Sequence, residues 1–439
     1  MTRVRIPALL VLVLAVPVLT VSSVRGEGFT GRLALELEYL GENYFNEITL
    51  PSPIVLDDGI RETDTTRFND DSWLPGQHLE LQWQREPGEA TRFEIRTDTR
   101  YNRETFDQGV DLQLERAAAD GGAWTLEASG TFRDEARSLV GSGDWGAEVA
   151  ATRRLPLGEA WESDLRATWK HSRTRGDTTS FLYDFDVFTA KAEVLGGGGW
   201  SPAWVMRLEG TRKQVPGDLE GAYTEGTLGA AWHPPGPGRL RLGADVTLRN
   251  YDRDGDVGRD YLEVDAEAGH LLWSRGNHAV EASLDLSTAD YATSDDLYYD
   301  FGQATLFLPW QWDDGTWNTS LGPRARVVSD LGGGDRDYAQ WSVRSEAGRS
   351  LGIGGFFQVS LETGFRNYRG EGELIELTTL STTLLRSDYW LWDAMVLGEV
   401  PLGSGFSLEI LGDTLLEVHT AESERVQVTF ATLSVVHGF

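Results

Sequence analysis

The chain has 439 residues, 50 Gly, no Cys and a formal net charge of −30. Without Cys there is no disulfide framework, no thiolate metal site and no covalent c-type haem. The acidity excludes a nucleic-acid partner, because phosphate binding needs clustered Lys and Arg. No cofactor is expected.

The first residues read as an address. Arg3 and Arg5 precede an apolar run from Ile6 to Val21, and Ser22, Ser23 and Gly26 supply small residues for cleavage after Val24-Arg25-Gly26 or Val21-Ser22-Ser23. This is the pattern of a secretory signal peptide over residues 1–26, leaving 27–439 as one domain. Later apolar runs are too short to span a bilayer as a helix. A membrane-embedded mature chain must therefore be a closed barrel, in which every backbone N–H and C=O finds a partner.

From residue 29 onward the period is two. Arg92, Glu94, Arg96, Asp98 and Arg100 share one face of an extended segment, with Phe93, Ile95, Thr97, Thr99 and Tyr101 on the other. A helix would scatter those charges around its axis. The same sorting sets Leu262, Val264, Ala266 and Ala268 against Glu263, Asp265 and Glu267, and Val280, Ala282, Leu284 and Leu286 against Glu281, Ser283 and Asp285. Tight Gly- or Pro-rich turns such as Asp120-Gly121-Gly122, Arg275-Gly276-Asn277 and Asp313-Asp314-Gly315 alternate with longer polar stretches at 41–76, 134–143, 252–258, 330–336 and 370–386. Alternation of short turns and long outward loops is the rhythm of an outer-membrane barrel.

Strands are expected near 29–40, 77–86, 89–103, 109–118, 122–133, 144–155, 160–173, 181–194, 202–214, 220–233, 238–252, 259–274, 277–291, 297–312, 315–329, 337–351, 354–369, 387–400, 404–418 and 424–439. The fold class is thus all-β, a transmembrane antiparallel up-and-down barrel of about 20 strands, with 18 to 22 compatible with the pattern. An even count puts both ends on the periplasmic side.

At the chain end, Thr429, Ala431, Leu433, Val435, His437 and Phe439 alternate on one face. The last four resemble the C-terminal targeting signal of Gram-negative outer-membrane β-barrel proteins, with His437 where an aromatic is more usual. The resemblance implies a porin-like barrel in the bacterial outer membrane. Its partners would be outer-membrane lipid and, during biogenesis, the barrel assembly machinery.

Charges facing mid-bilayer cost roughly 2–4 kcal/mol each for Arg or Lys, so the charged face must line the lumen. Candidate selectivity residues are Arg92, Glu94, Arg96, Asp98, Arg100, Glu263, Asp265, Glu267, Arg324 and Arg326. Trp145, Trp161, Trp310, Trp312, Trp317, Tyr389, Trp390 and Trp392 suit interfacial girdles. The acidic stretch 41–76 is read either as a loop folded into the lumen, favouring cations, or as a solvated surface loop.

Catalytic sets are sparse. His171-Ser172 is adjacent, but strand neighbours point to opposite faces and cannot share a proton. Asp252, Asp254 and Asp256 make a weak Ca²⁺ candidate without the spacing of a full calcium loop. Gly196 to Gly199 lacks the Lys and following helix of a phosphate cradle. The chain is read as a passive channel for small cationic or neutral solutes rather than an enzyme. The alternatives are a sheath around a periplasmic or lumen-filling partner, such as a multihaem conduit or polysaccharide export machinery, and, last, an outer-membrane enzyme.

Overall fold

A computed structural model describes residues 28–48, 64–88, 90–102, 105–135, 143–175, 184–197, 203–216, 221–234, 240–252, 260–292, 300–332, 337–352, 354–369, 388–420 and 425–438. The expected signal peptide and Phe439 lie outside these residues.

The extended segments are β1 (Phe29–Ile48), β2 (Asp64–Gly88), β3 (Thr91–Asn102), β4 (Thr105–Ala117), β5 (Ala123–Glu135), β6 (Gly143–Pro156), β7 (Trp161–Arg175), β8 (Phe185–Gly196), β9 (Trp204–Gln214), β10 (Tyr223–Trp232) and β11 (Arg241–Tyr251). They continue with β12 (Tyr261–Arg275), β13 (His278–Tyr291), β14 (Phe301–Phe307), β15 (Trp310–Asp313), β16 (Trp317–Asp330), β17 (Tyr338–Leu351), β18 (Gly355–Tyr368), β19 (Tyr389–Gly403), β20 (Phe406–His419) and β21 (Arg425–Gly438). Apart from β14 and β15, which do not pair with each other, each pairs antiparallel with its chain neighbours, and β1 pairs with β21 from Arg32↔Gly438 to Asn43↔Gln427, so the sheet closes on itself. Closure leaves no edge strand and satisfies the ladder all round, as lipid demands.

β14 and β15 are two halves of one stave, since both lie between β13 and β16. The barrel therefore has 20 staves. No helix occurs among the described residues. The expected strands match these segments to within a few residues almost throughout.

The break at Leu308-Pro309 has a local cause. Pro309 has no N–H to give the ladder. Its carbonyl still accepts the Glu281 N–H at 3.1 Å, and the Leu308 N–H reaches Pro323 O at 3.1 Å. The kinked segment lies against Gly322, where a Cβ would stand 2.6 Å from Pro309 Cα and closer still to Leu308 O. Gly322→Ala is expected to cost about 1–3 kcal/mol, the range for overpacking against backbone. Urea unfolding of the reconstituted protein measures it, and an unchanged midpoint would remove Gly322 from this role.

The first hairpin differs from expectation. β1 and β2 pair without a break from Phe29↔Trp83 to Ile48↔Asp64. Residues 41–48 and 64–76 are thus strand rather than loop, which leaves 49–63 as the connection, outside the described residues. Beyond the lipid a strand faces water on both sides and needs no apolar alternation, so its sequence does not announce it.

Register around the ring sorts the side chains into two faces. Leu35, Leu112, Leu126, Leu165, Leu208, Leu228, Val246, Leu286, Leu306, Leu361 and Leu433 fall on one face and are 39–63 % exposed. Recesses open on the other, lined by residues such as Glu94, Arg96, Asp111, Asp245 and Asp265. The apolar face meets lipid and the charged face meets the lumen. Outward Trp residues gather at both ends of the staves. Trp124, Trp161, Trp204, Trp273, Trp310 and Trp317 mark the short-turn end, and Trp145, Trp341, Trp390 and Trp392 the opposite end; each is 36–64 % exposed. These are the two girdles of a membrane barrel. Tyr389 is a correction: it is 3 % exposed and pairs with His419 and Arg366 on the inner face. Its neighbour Trp390 points out, so parity sends Tyr389 in.

The short turns carry their own support. Asp314 accepts the N–H groups of Thr316 and Trp317 at 2.9 and 2.8 Å, and these hold its carboxyl below the usual range. Gly276 takes a φ of 58° in the two-residue turn between β12 and β13, a conformation costly for most side chains.

Candidate functional site

The inner wall is divided into sectors that differ in how their charges are paired. On β3 and β4 the signs alternate across the register: Arg92↔Glu115, Arg96↔Asp111 and Arg100↔Asp107. Further bridges tie this sector to its neighbours. Arg96 reaches Glu80 at 2.8 Å, Arg92 reaches Glu94 at 3.1 Å and Arg100 reaches Glu36 at 3.7 Å. Glu94 also accepts from Gln82 at 2.8 Å, and His78 Nε2 lies 2.6 Å from Asp98. The five candidates of β3 are therefore tied into a network in which every guanidinium has a carboxylate partner.

On β9 to β13 the pattern changes. Asp245 faces Asp265 directly across β11 and β12, and Glu267 faces Asp285 directly across β12 and β13. With Glu193 these carboxylates line a recess of 440 Å³ that contains one guanidinium, Arg207, bound to Asp245 at 2.6 Å. Glu263 lies one inward position further along β12. Small residues make the space: Gly229, Ala231 and Gly243 occupy the inward positions between the acids. Arg241, at the rim, is committed to Glu281.

Arg324 and Arg326 belong to a third sector on β16. Arg324 binds the buried Glu362 at 2.9 Å, and Arg326 reaches Gln303 at 2.5 Å. Glu362 also accepts from Ser342 at 2.7 Å. The candidates thus occupy three separate arcs of the wall, on β3, β12 and β16, and form no single ring.

Two inner-wall clusters were not anticipated. Arg249 stacks over Tyr223 and Tyr261 at 4.3 and 5.0 Å and binds Glu225 at 2.6 Å. Arg366 stacks over Tyr338 and Tyr389 at 4.3 and 4.9 Å and donates to Gln340 at 2.8 Å. Their registers are the same: Tyr223↔Tyr251 and Glu225↔Arg249 in one, Tyr338↔Tyr368 and Gln340↔Arg366 in the other. The sequence holds the signal as a repeated Arg-Asn-Tyr at 249–251 and 366–368. A related repeat is Asp before an aromatic at the start of a stave. Asp260, Asp300 and Asp388 accept the N–H of Tyr251, Tyr291 and Tyr368 at 2.6–2.7 Å, pinning the strand ends on the long-loop side.

The remaining candidates fall as follows. Leu433 and Val435 face outward and are 45 and 43 % exposed. His437 packs its ring on Phe406, centroids 4.4 Å apart, in the place an aromatic would fill. His171 and Ser172 point to opposite faces, and His171 is held by Asp186 at 3.0 Å. Asp252 is engaged by Arg212 through both carboxylate oxygens, while Asp254 and Asp256 lie outside the described residues. Gly197 turns at a φ of 108° after β8, and Gly198 and Gly199 lie outside the described residues.

No family model and no curated protein matches the sequence. Solved structures do match in fold. The FrpB iron transporter from Neisseria meningitidis superposes with a TM-score of 0.54 at 10 % identity, over 95 % of this chain and 82 % of that one. The siderophore receptor PirA from Pseudomonas aeruginosa gives 0.53 at 9 % identity, over 94 % and 80 %. The outer membrane protein OpdK from Pseudomonas aeruginosa gives 0.46 at 14 % identity, over 94 % and 99 %. The first is named as an iron transporter, the second as a siderophore receptor and the third as an outer membrane protein. With its closed ladder, its apolar outer face between two aromatic girdles and its charged inner wall, the chain is an outer-membrane β-barrel protein, at home in the bacterial outer membrane.

Proposed function

We propose that the barrel is a passive channel for small cationic or neutral solutes. The observation that carries this reading is the pair of like-charge contacts Asp245↔Asp265 and Glu267↔Asp285 in direct register. Like charges directly opposite on a sheet are destabilising, each by a few tenths to about 1 kcal/mol. A wall built only for strength would alternate its signs, as β3 and β4 do. A mobile cation in the lumen relieves the repulsion, and an anion aggravates it. The paired arginines of β3 and β16 then serve as rigid wall and leave the acidic arc to set selectivity.

Planar-bilayer recording under a salt gradient tests the proposal. Purified protein is expected to give discrete conductance steps with a reversal potential on the cation side. A bilayer that stays silent, or a reversal potential on the anion side, would overturn it.

A further inference from the structure

We propose that the inner wall of β1 to β3 is a binding site for one divalent transition cation of the zinc class, with His78, Asp98 and Glu80 as ligands and Glu36 behind them. The ligand atoms of His78, Glu80 and Asp98 all lie within 4.8 Å of one another. Imidazole nitrogen with two carboxylates suits borderline cations rather than calcium or magnesium, which take oxygen throughout.

The arrangement behind the ligands is the second support. Metal-bound histidines hand their other ring N–H to a carboxylate, which fixes the ring and its tautomer. Here the Glu36 carboxylate lies 3.4 Å from His78 Nδ1, and the two side chains are only 8 and 12 % exposed. That leaves Nε2 aimed at Asp98, 2.6 Å away. Glu80 and Asp98 stand directly opposite in register, so both carboxylates reach the same spot from adjacent staves. In the metal-free wall Nε2 and Asp98 are hydrogen-bonded to each other, and Arg96 holds Glu80 at 2.8 Å. Binding replaces that hydrogen bond and requires Arg96, half exposed, to part from Glu80.

The site goes beyond the channel reading and does not require conduction, so it is tested by binding alone. Zinc is titrated into untagged protein in detergent at pH 7.5, by calorimetry, with cobalt as a spectroscopic substitute. One saturable equivalent is expected, with cobalt bands of nitrogen–oxygen ligation. His78→Ala and Asp98→Asn are expected to abolish it. Glu36→Gln keeps the ligands and is expected to weaken binding by about 10–100-fold, the usual effect of losing such a support. His270→Ala, on the lipid face, should bind as the parent does. Heat-modifiable gel mobility confirms that each variant is a folded barrel. Parent protein that takes up no zinc, or a folded His78→Ala variant that binds it with parental affinity, would overturn the assignment.

Discussion

Lysine at both 265 and 285 is expected to swing the channel from cation to anion preference. Each substitution replaces a −1 charge with +1 in an arc where five carboxylates face one guanidinium. Two unit charges 4 Å apart interact by about 1 kcal/mol even in bulk water, and by more at the wall of a barrel. A change of about 1.4 kcal/mol in the relative cost of passing a cation and an anion is tenfold in their ratio. Four charge steps should therefore lower the cation-to-anion permeability ratio by about tenfold or more at 0.15 M salt, where screening extends over roughly 8 Å. Reversal potentials in a salt gradient read the ratio directly. The effect should shrink as salt rises. Asp111→Lys is the reference, since Asp111 faces Arg96 across β3 and β4 and lies away from the arc on β9 to β13. A ratio that moves equally in both variants would sink the claim that the arc on β9 to β13 sets selectivity.

Leu228→Arg is expected to be the most destabilising single change on the outer face. Leu228 sits midway along β10, is 63 % exposed, and has Leu208 and Val246 as cross-strand partners. An Arg there faces hydrocarbon at a cost of roughly 2–4 kcal/mol. The preceding residue, Thr227, faces the lumen, where its hydroxyl lies 3.0 Å from that of Thr247. Thr227→Arg adds the same side chain to the same stave on the wet side and should cost much less. Equilibrium unfolding from lipid vesicles compares the two. Equal losses would contradict the assignment of faces. Because the difference is one of side rather than of residue type, strand propensity drops out of the comparison.

Most of the fold could be read from the residues because lipid imposes a two-faced pattern on every stave. Where the constraint lapses, so does legibility. Residues 41–48 and 64–76 are strand without that pattern, and their composition alone reads as loop. Tyr389 adjoins Trp390 and Trp392 in sequence, but parity places it on the other face. The inner wall was legible only in part. Alternation said which residues face inward. It could not say which of them meet, since Asp245 and Asp265 lie on separate staves and their pairing is set by register. The Tyr–Arg stacks at Arg249 and Arg366 depend on register in the same way. Alternation points the β3 arginines and the β12 acids inward alike, and only register shows that each β3 arginine has a carboxylate opposite while Asp265 and Glu267 face like charges.

The opening hairpin has a reach of its own. Its two strands are 20 and 25 residues long, whereas about 9–11 suffice to cross a membrane at a slant. The surplus has to stand clear of the bilayer on the side of the long connections, like a mast above a deck. Whatever approaches the living cell from outside, whether antibody, bacteriophage tail or protease, meets this mast before it meets the mouth.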